Sequence, residues 1–134
     1  MSGLILKLAP HERVLINGAV IENGEKRSRI SIKTPNVSIL RLRDAIHPDE
    51  AGTPVGRVCY ICQLIITGDA EESEGRRQAM VGIEQLSRAF TDRDSIAIID
   101  SSTAAILERN YYLALKHLRT LLPREARLLA TIAP

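Results

Sequence analysis

The first third of the chain alternates with a period of two, the signature of half-buried strands. Leu4-Ile5-Leu6-Lys7-Leu8 runs to Pro10, and Arg13-Val14-Leu15-Ile16 then meets Asn17-Gly18. Asn-Gly is a strong two-residue hairpin signal, because both central residues of a type I′ turn need positive φ. Ala19-Val20-Ile21 returns and is closed by Asn23-Gly24-Glu25. From Arg27 to Lys33 the side chains Arg27, Arg29, Ser31 and Lys33 share one parity, and Ile30 and Ile32 share the other. After Thr34-Pro35-Asn36, Val37 to Arg43 forms the last segment, with Leu40 and Leu42 opposed to Arg41 and Arg43. Five short strands joined by tight turns predict a small antiparallel sheet. Its apolar side is too meagre to close a core alone, so it should pack on helices or on a second subunit.

Beyond His47-Pro48-Asp49-Glu50, read as a connector, the period changes to that of helices. Thr53-Pro54 supplies an N-cap and a proline at the first helical position. Val55, Val58, Cys59, Cys62, Leu64, Ile65 and Ile66 follow, up to Gly68. So broad an apolar face predicts a central helix. A second helix opens within Asp69–Ser73 and carries Met80, Ile83, Leu86 and Phe90. A third starts near Asp94-Ser95 with Ile96, Ile98, Ile99, Ala104, Ile106 and Leu107. Asn110 caps a fourth with Leu113, Leu115, Leu118, Leu121 and Leu122, and Pro123 opens a last short helix to Leu129. The fold class is therefore α+β: a β unit over 1–46, then four or five helices over 47–134.

Composition narrows the function classes. At 134 residues, 45% hydrophobic and 25% charged, the chain is a folded domain and not a disordered tail. No run approaches the 18 apolar residues of a membrane span, and the N-terminus has neither the basic segment nor the cleavage site of a secretory signal. Two cysteines make no disulfide framework, which points to a reducing cytoplasm. The only aromatics are Tyr60, Phe90, Tyr111 and Tyr112, too few for a sheet that stacks bases on rows of rings.

The net charge of +2 conceals an asymmetry. Residues 1–43 hold eight basic against three acidic side chains, a balance of +5, and residues 44–134 balance at −3. The two parts are expected to face different partners. The basic strand positions are the candidate site: Arg41 and Arg43 share a side of the last strand, and Arg27, Arg29 and Lys33 share a side of the one before it. Such guanidinium forks suit phosphates and base edges, although the same residues also serve to protect an edge strand.

Catalysis has no visible seat. No phosphate-cradling glycine loop, nucleophile elbow or acidic metal cluster is present. Cys59 and Cys62 have CxxC spacing but lie mid-helix on an apolar face, where thiols behave as small buried hydrophobes. His11, His47 and His117 offer no ligand spacing for a zinc site. Gly75 and Gly82, seven apart in one helix, indicate close packing. No enzyme activity, cofactor or metal is expected.

Taken together, LILKLAPHERVLINGAVIENG, SILRLRDAIHP, TPVGRVCYICQLIITGD, GIEQLSRAF and NYYLALKHLRTLLPREARLL resemble the FlbT family of bacterial regulators of flagellin synthesis. The resemblance implies a post-transcriptional repressor that binds the 5′ untranslated leader of flagellin mRNA, blocks translation and promotes decay of the message. Some members are associated with positive control instead. Residues 4–46 are also distantly similar to the carbon storage regulator family of mRNA-binding proteins, which form interwoven β dimers with the first strand of one subunit beside the last strand of the other. That likeness implies contacts at Arg41, Leu42 and Arg43 on the last strand and at Leu4–Leu8, with Lys7, on the first. Leu8 stands where that family places a basic residue, and Leu42 where a histidine is usual.

The expectation is a cytoplasmic homodimer in which Arg41, Arg43 and Lys7 lead the RNA contacts and Arg27, Arg29 and Lys33 steer phosphates. The rival is an adaptor whose acidic helical part, with Glu71, Glu72, Glu74, Asp92 and Asp94, binds flagellin or another small flagellar protein. A redox or metal sensor on the CxxC pair is a third, weaker reading.

Overall fold

The computed structural model describes residues 4–17 and 19–132 of the chain. The contacts divide it into two units, the first ending at Ala45 and the second beginning at Ile46. The division falls one residue before the expected boundary. Ile46 is buried, its N–H donates to Gln63 Oε1 at 2.9 Å, and its carbonyl accepts from Gln63 Nε2 at 3.3 Å.

In the first unit the strands are β1 (Leu4–Leu8), β2 (Arg13–Ile16), β3 (Ala19–Glu22), β4 (Ser28–Ile32) and β5 (Ile39–Arg41). They do not form the single sheet expected from the sequence. Among the described residues β1 pairs only with β4, from Leu4 opposite Ile32 to Leu8 opposite Ser28, and β2 sits between β3 and β5. All the pairings are antiparallel. Leu6, Leu8 and Val14 form the buried centre, with Ile16, Ile30, Ile32 and Ile39 against it, so both sheets contribute to one small core.

β2 and β3 pair with Ile16 opposite Ala19, the register that a hairpin between them requires. Asn17 has the positive φ of 49° that the turn requires, and its Oδ1 accepts from the Ser38 N–H at 3.0 Å. Gly18 lies outside the described residues.

β5 is shorter than the expected strand to Arg43. After Arg41 the chain enters a single 3-10 turn, Leu42–Asp44, closed by the Ala45 N–H donating to the Leu42 carbonyl at 3.1 Å. Leu42 and Arg43 are therefore not strand residues, and Arg43 does not occupy the alternate position to Arg41.

The second unit holds α1 (Pro54–Thr67), α2 (Glu72–Ala89), α3 (Arg93–Leu107), α4 (Tyr111–Arg119) and α5 (Leu122–Ile132), the upper of the two expected counts. The expected connector is itself a 3-10 helix, Pro48–Gly52, with a capping box between His47 and Glu50. Thr53 Oγ1 accepts from the Gly56 N–H at the start of α1, and Gly68 closes it at φ 81°. Val55, Val58, Cys59 and Cys62 are at most 1% exposed, and α2, α4 and α5 all contact α1, which makes it the central helix. Gly82 and Gly75 bring α2 close. A Cβ at Gly82 would lie 2.5 Å from Val58 Cγ2, and one at Gly75 would lie 2.7 Å from Ile65 Cγ1.

Candidate nucleic-acid interface

Strand alternation builds the basic face. In β1 and β4 the residues Leu6, Leu8, Ile30 and Ile32 turn inward, and Ile5, Lys7, Arg29 and Ser31 fall on the opposite, open side. The register sets Lys7 directly opposite Arg29. Like charges facing across a sheet are destabilising, so the fold holds a concentrated positive potential at a local cost. Beside this pair lies an open depression of about 590 Å³ lined by Lys7, Leu8, Ala9, Glu12, Arg27, Ser28, Arg29 and Arg43. Four of the predicted contact residues, Lys7, Arg27, Arg29 and Arg43, thus converge on one concavity.

The other three are placed differently. Lys33 is exposed just past β4 and does not line the depression. Leu42 is half-buried in the 3-10 turn. Arg41 is engaged internally: its Nη1 donates to the Lys7 carbonyl at 3.0 Å and to Glu12 Oε2 at 2.6 Å. The guanidinium expected to lead the RNA contacts therefore ties β5 to β1 and to the loop between β1 and β2.

Glu12 is the residue that the sequence reading passed over. Its side chain is 7% exposed, and Oε1 accepts from the Ala9 N–H at 2.9 Å. Arg43 Nε lies 3.8 Å from Oε2. The Ala9 N–H first, and then Arg41 and Arg43, hold its carboxyl below the ordinary 4.5, against the opposing effect of burial. It anchors two arginines while cancelling part of their charge. The one local signal is a turn: the Glu12 N–H donates back to the Ala9 carbonyl at 3.1 Å around His11 at φ 60°. Asn23 fastens the neighbouring loop, donating to the carbonyls of Ala9 at 2.8 Å and Lys26 at 3.0 Å and accepting from Ser28 Oγ at 2.7 Å. That steadies the backbone on both sides of Arg27.

In the helical unit four of the five acidic side chains that motivated the adaptor reading, all but Asp94, are engaged in helix starts and local pairs. Glu71 accepts from the N–H groups of Ser73 and Glu74, and Asp92 accepts from that of Ser95. Glu74 pairs with Arg77, and Glu72 accepts from the Tyr111 hydroxyl at 2.8 Å. Burial pushes the Cys59 thiol up and the Cys62 thiol up to about 12, the reverse of what a reactive cysteine needs. Among the described residues no group of three or more His, Cys, Asp or Glu is placed to hold a metal ion. No described helix is long and apolar enough to cross a membrane.

The family model described as flagellar protein FlbT matches residues 4–129. A probable flagellum biosynthesis repressor protein FlbT of Bradyrhizobium diazoefficiens is 35% identical over 126 residues, covering 93% of this chain and 84% of the relative. The protein of the same description from Mesorhizobium japonicum is 30% identical over 127 residues, covering 94% and 84%. The flagellum biosynthesis repressor protein FlbT of Caulobacter vibrioides is 28% identical over 128 residues, covering 91% and 86%. No solved structure gives a significant match. With the family match running from the first described strand into the last helix, the chain belongs to the FlbT family.

Proposed function

We propose that this protein regulates flagellin synthesis after transcription. It binds the 5′ untranslated leader of flagellin mRNA through the β1–β4 face, blocks translation and promotes decay of the message, in the cytoplasm and without catalysis. The observation that carries the reading is the convergence of Lys7, Arg27, Arg29 and Arg43 on one depression, with Lys7 set against Arg29. A bound phosphate would relieve that repulsion, and guanidinium groups at the rim can donate to phosphate and base edge alike. The repressor description of the relatives supports the direction of the effect.

The acting form is a homodimer. Among the described residues β1 pairs only with β4 and β5 only with β2, so each keeps an edge without a strand partner there. Leu4 and Ile5 on β1 are 54% and 55% exposed. An open edge with exposed apolar side chains calls for a second strand.

The test is a titration of the full-length protein with a flagellin leader and with an unrelated RNA of equal length. The leader should bind more tightly, and Arg43→Ala should cost about 1–3 kcal/mol if Arg43 reads a base edge. Equal affinity for the two RNAs, or a loss on substitution below about 0.3 kcal/mol against that expectation, would remove the β face from the mechanism.

A further inference from the structure

The depression that gathers Lys7, Arg27, Arg29 and Arg43 is also lined by a carboxylate, that of Glu12. A negative charge there repels a phosphate and offsets part of the cationic field. Its place among four cations calls for a compensating role, and its bonds supply one. Glu12 is fixed through main chain and side chain together. Its N–H donates to the Ala9 carbonyl at 3.1 Å, and its own carbonyl accepts from the Asn23 N–H at 2.8 Å. Oε1 accepts from the Ala9 N–H at 2.9 Å, and Oε2 from Arg41 Nη1 at 2.6 Å.

These bonds set the carboxylate at a defined place relative to the other cations. Arg41 Nη1 also donates to the Lys7 carbonyl at 3.0 Å, which ties Glu12 to β1 at the residue opposite Arg29. Asn23 in turn binds the Lys26 carbonyl and Ser28 Oγ, on either side of Arg27. The two arginines that share Oε2 then divide their tasks. Arg41 is 20% exposed and turned toward the Lys7 carbonyl, whereas Arg43, at 3.8 Å, is 63% exposed and lines the depression.

We propose that Glu12 is a positioning residue for RNA binding: fixed by Ala9, Asn23 and Arg41, it holds Arg43 over the depression at a set distance from Lys7 and Arg29. The inference rests on the RNA reading of the β1–β4 face. Arg41 on this account contacts no phosphate and acts through Glu12. Holding a long side chain where the ligand needs it lowers the cost of ordering that side chain on binding. Charge and positioning therefore predict opposite signs. Removing the carboxylate raises the local positive charge, which by electrostatics alone tightens the hold on a polyanion. Removing a positioning residue weakens it.

The experiment titrates the full-length wild type, Glu12→Gln, Arg43→Ala and the combined variant with a flagellin leader and with an unrelated RNA of equal length. All are held at a temperature at which thermal melts show each variant folded. Glutamine keeps the shape of the side chain and an acceptor for the Ala9 N–H, and loses the charge that draws Arg43. Glu12→Gln should bind the leader about fivefold more weakly than the wild type, the lower end of what a lost arginine contact costs. In the Arg43→Ala background the same substitution should cost about twofold or less, because its effect passes through Arg43. Unchanged or tighter binding by Glu12→Gln overturns the proposal, since the carboxylate then acts by charge alone or not at all. A full fivefold loss that persists without Arg43 overturns it too, and assigns Glu12 to the fold. If the wild type binds both RNAs alike, the leader reading fails, and the same comparison on either RNA still decides the role of Glu12. If the wild type binds neither, both fall.

Discussion

The pair of cations opposed across the β1–β4 sheet makes two opposite demands that one variant can separate. Lys7→Gln with Arg29→Gln removes both charges and keeps hydrogen-bonding side chains at exposed positions. If Lys7, Arg27, Arg29 and Arg43 each neutralise one phosphate, log affinity should fall with log salt at a slope of about −0.7 per contact, or about −2.8 in all. A fourfold rise in salt then weakens the wild type about 50-fold. The double variant keeps two contacts and a slope of about −1.4, so the same rise weakens it only about 7-fold. Urea unfolding should move the other way: relief of the facing like charges stabilises the variant by a few tenths of a kcal/mol, discounted for solvent screening. Fluorescence anisotropy at several salt concentrations reads the first quantity, and the unfolding midpoint reads the second. An unchanged slope would show that the phosphates do not run along this face. A lower midpoint would show that the two cations serve the fold.

Gly82→Ala should lower stability by about 1–2 kcal/mol: overpacking against the stiff, buried Val58 outweighs the roughly 1 kcal/mol gained in helix propensity. Val58→Ala on that background should recover part of the loss in a thermal melt, whereas Gly75→Ala, facing the longer Ile65, should cost less. Glu12→Gln should cost about 1–2 kcal/mol by weakening charge-assisted hydrogen bonds. Because the folded carboxyl lies below 4.5, its contribution is complete above that pH and is lost as the pH falls below it. Acid titrations should therefore show the gap between wild type and Glu12→Gln narrowing below about pH 4.5. Glu125→Ala should cost about 1–3 kcal/mol in urea by stranding the Val55 N–H, and Glu125→Gln less, since an amide oxygen still accepts.

What the chain discloses by itself follows the range of each interaction. Thr53, Asn110 and Gly68 mark helix ends because capping is settled within four residues. Asn17-Gly18 fixes the β2–β3 hairpin for the same reason. The division into two sheets is not legible, since the partner of β1 lies some twenty residues away and nothing in a period-two pattern names it. The same pattern misleads at Leu40-Arg41-Leu42-Arg43: alternation continues in the sequence, but Arg41 is drawn to Glu12 and the Lys7 carbonyl and the backbone turns after it. Arg27, Arg29 and Lys7 were recognisable as basic positions, yet that they share a depression with Arg43 depends on the β1–β4 register. Glu12 was unreadable as an anchor because two of its three partners are about thirty residues distant.

The near-neutral total charge is thus the sum of three unlike surfaces: a basic β unit, an acidic stretch whose carboxylates largely cap and brace helices, and a basic C-terminal segment whose one carboxylate is buried. A nonspecific anion binder would use both basic surfaces for any polyanion. The β face and α5 differ in what accompanies the charge. Around Lys7 and Arg29 the companions are Arg27 and Arg43, which outnumber the single carboxylate of Glu12 and suit a phosphate chain. Beside Arg127 they are Phe90, Leu128 and the Asp92–Arg124 pair, an apolar and largely neutralised surrounding. Lys7→Gln with Arg29→Gln should therefore weaken RNA binding, and Arg127→Glu should leave it unchanged. An equal loss in both variants would mean that bulk charge, and not the arrangement of side chains around it, governs what this protein binds.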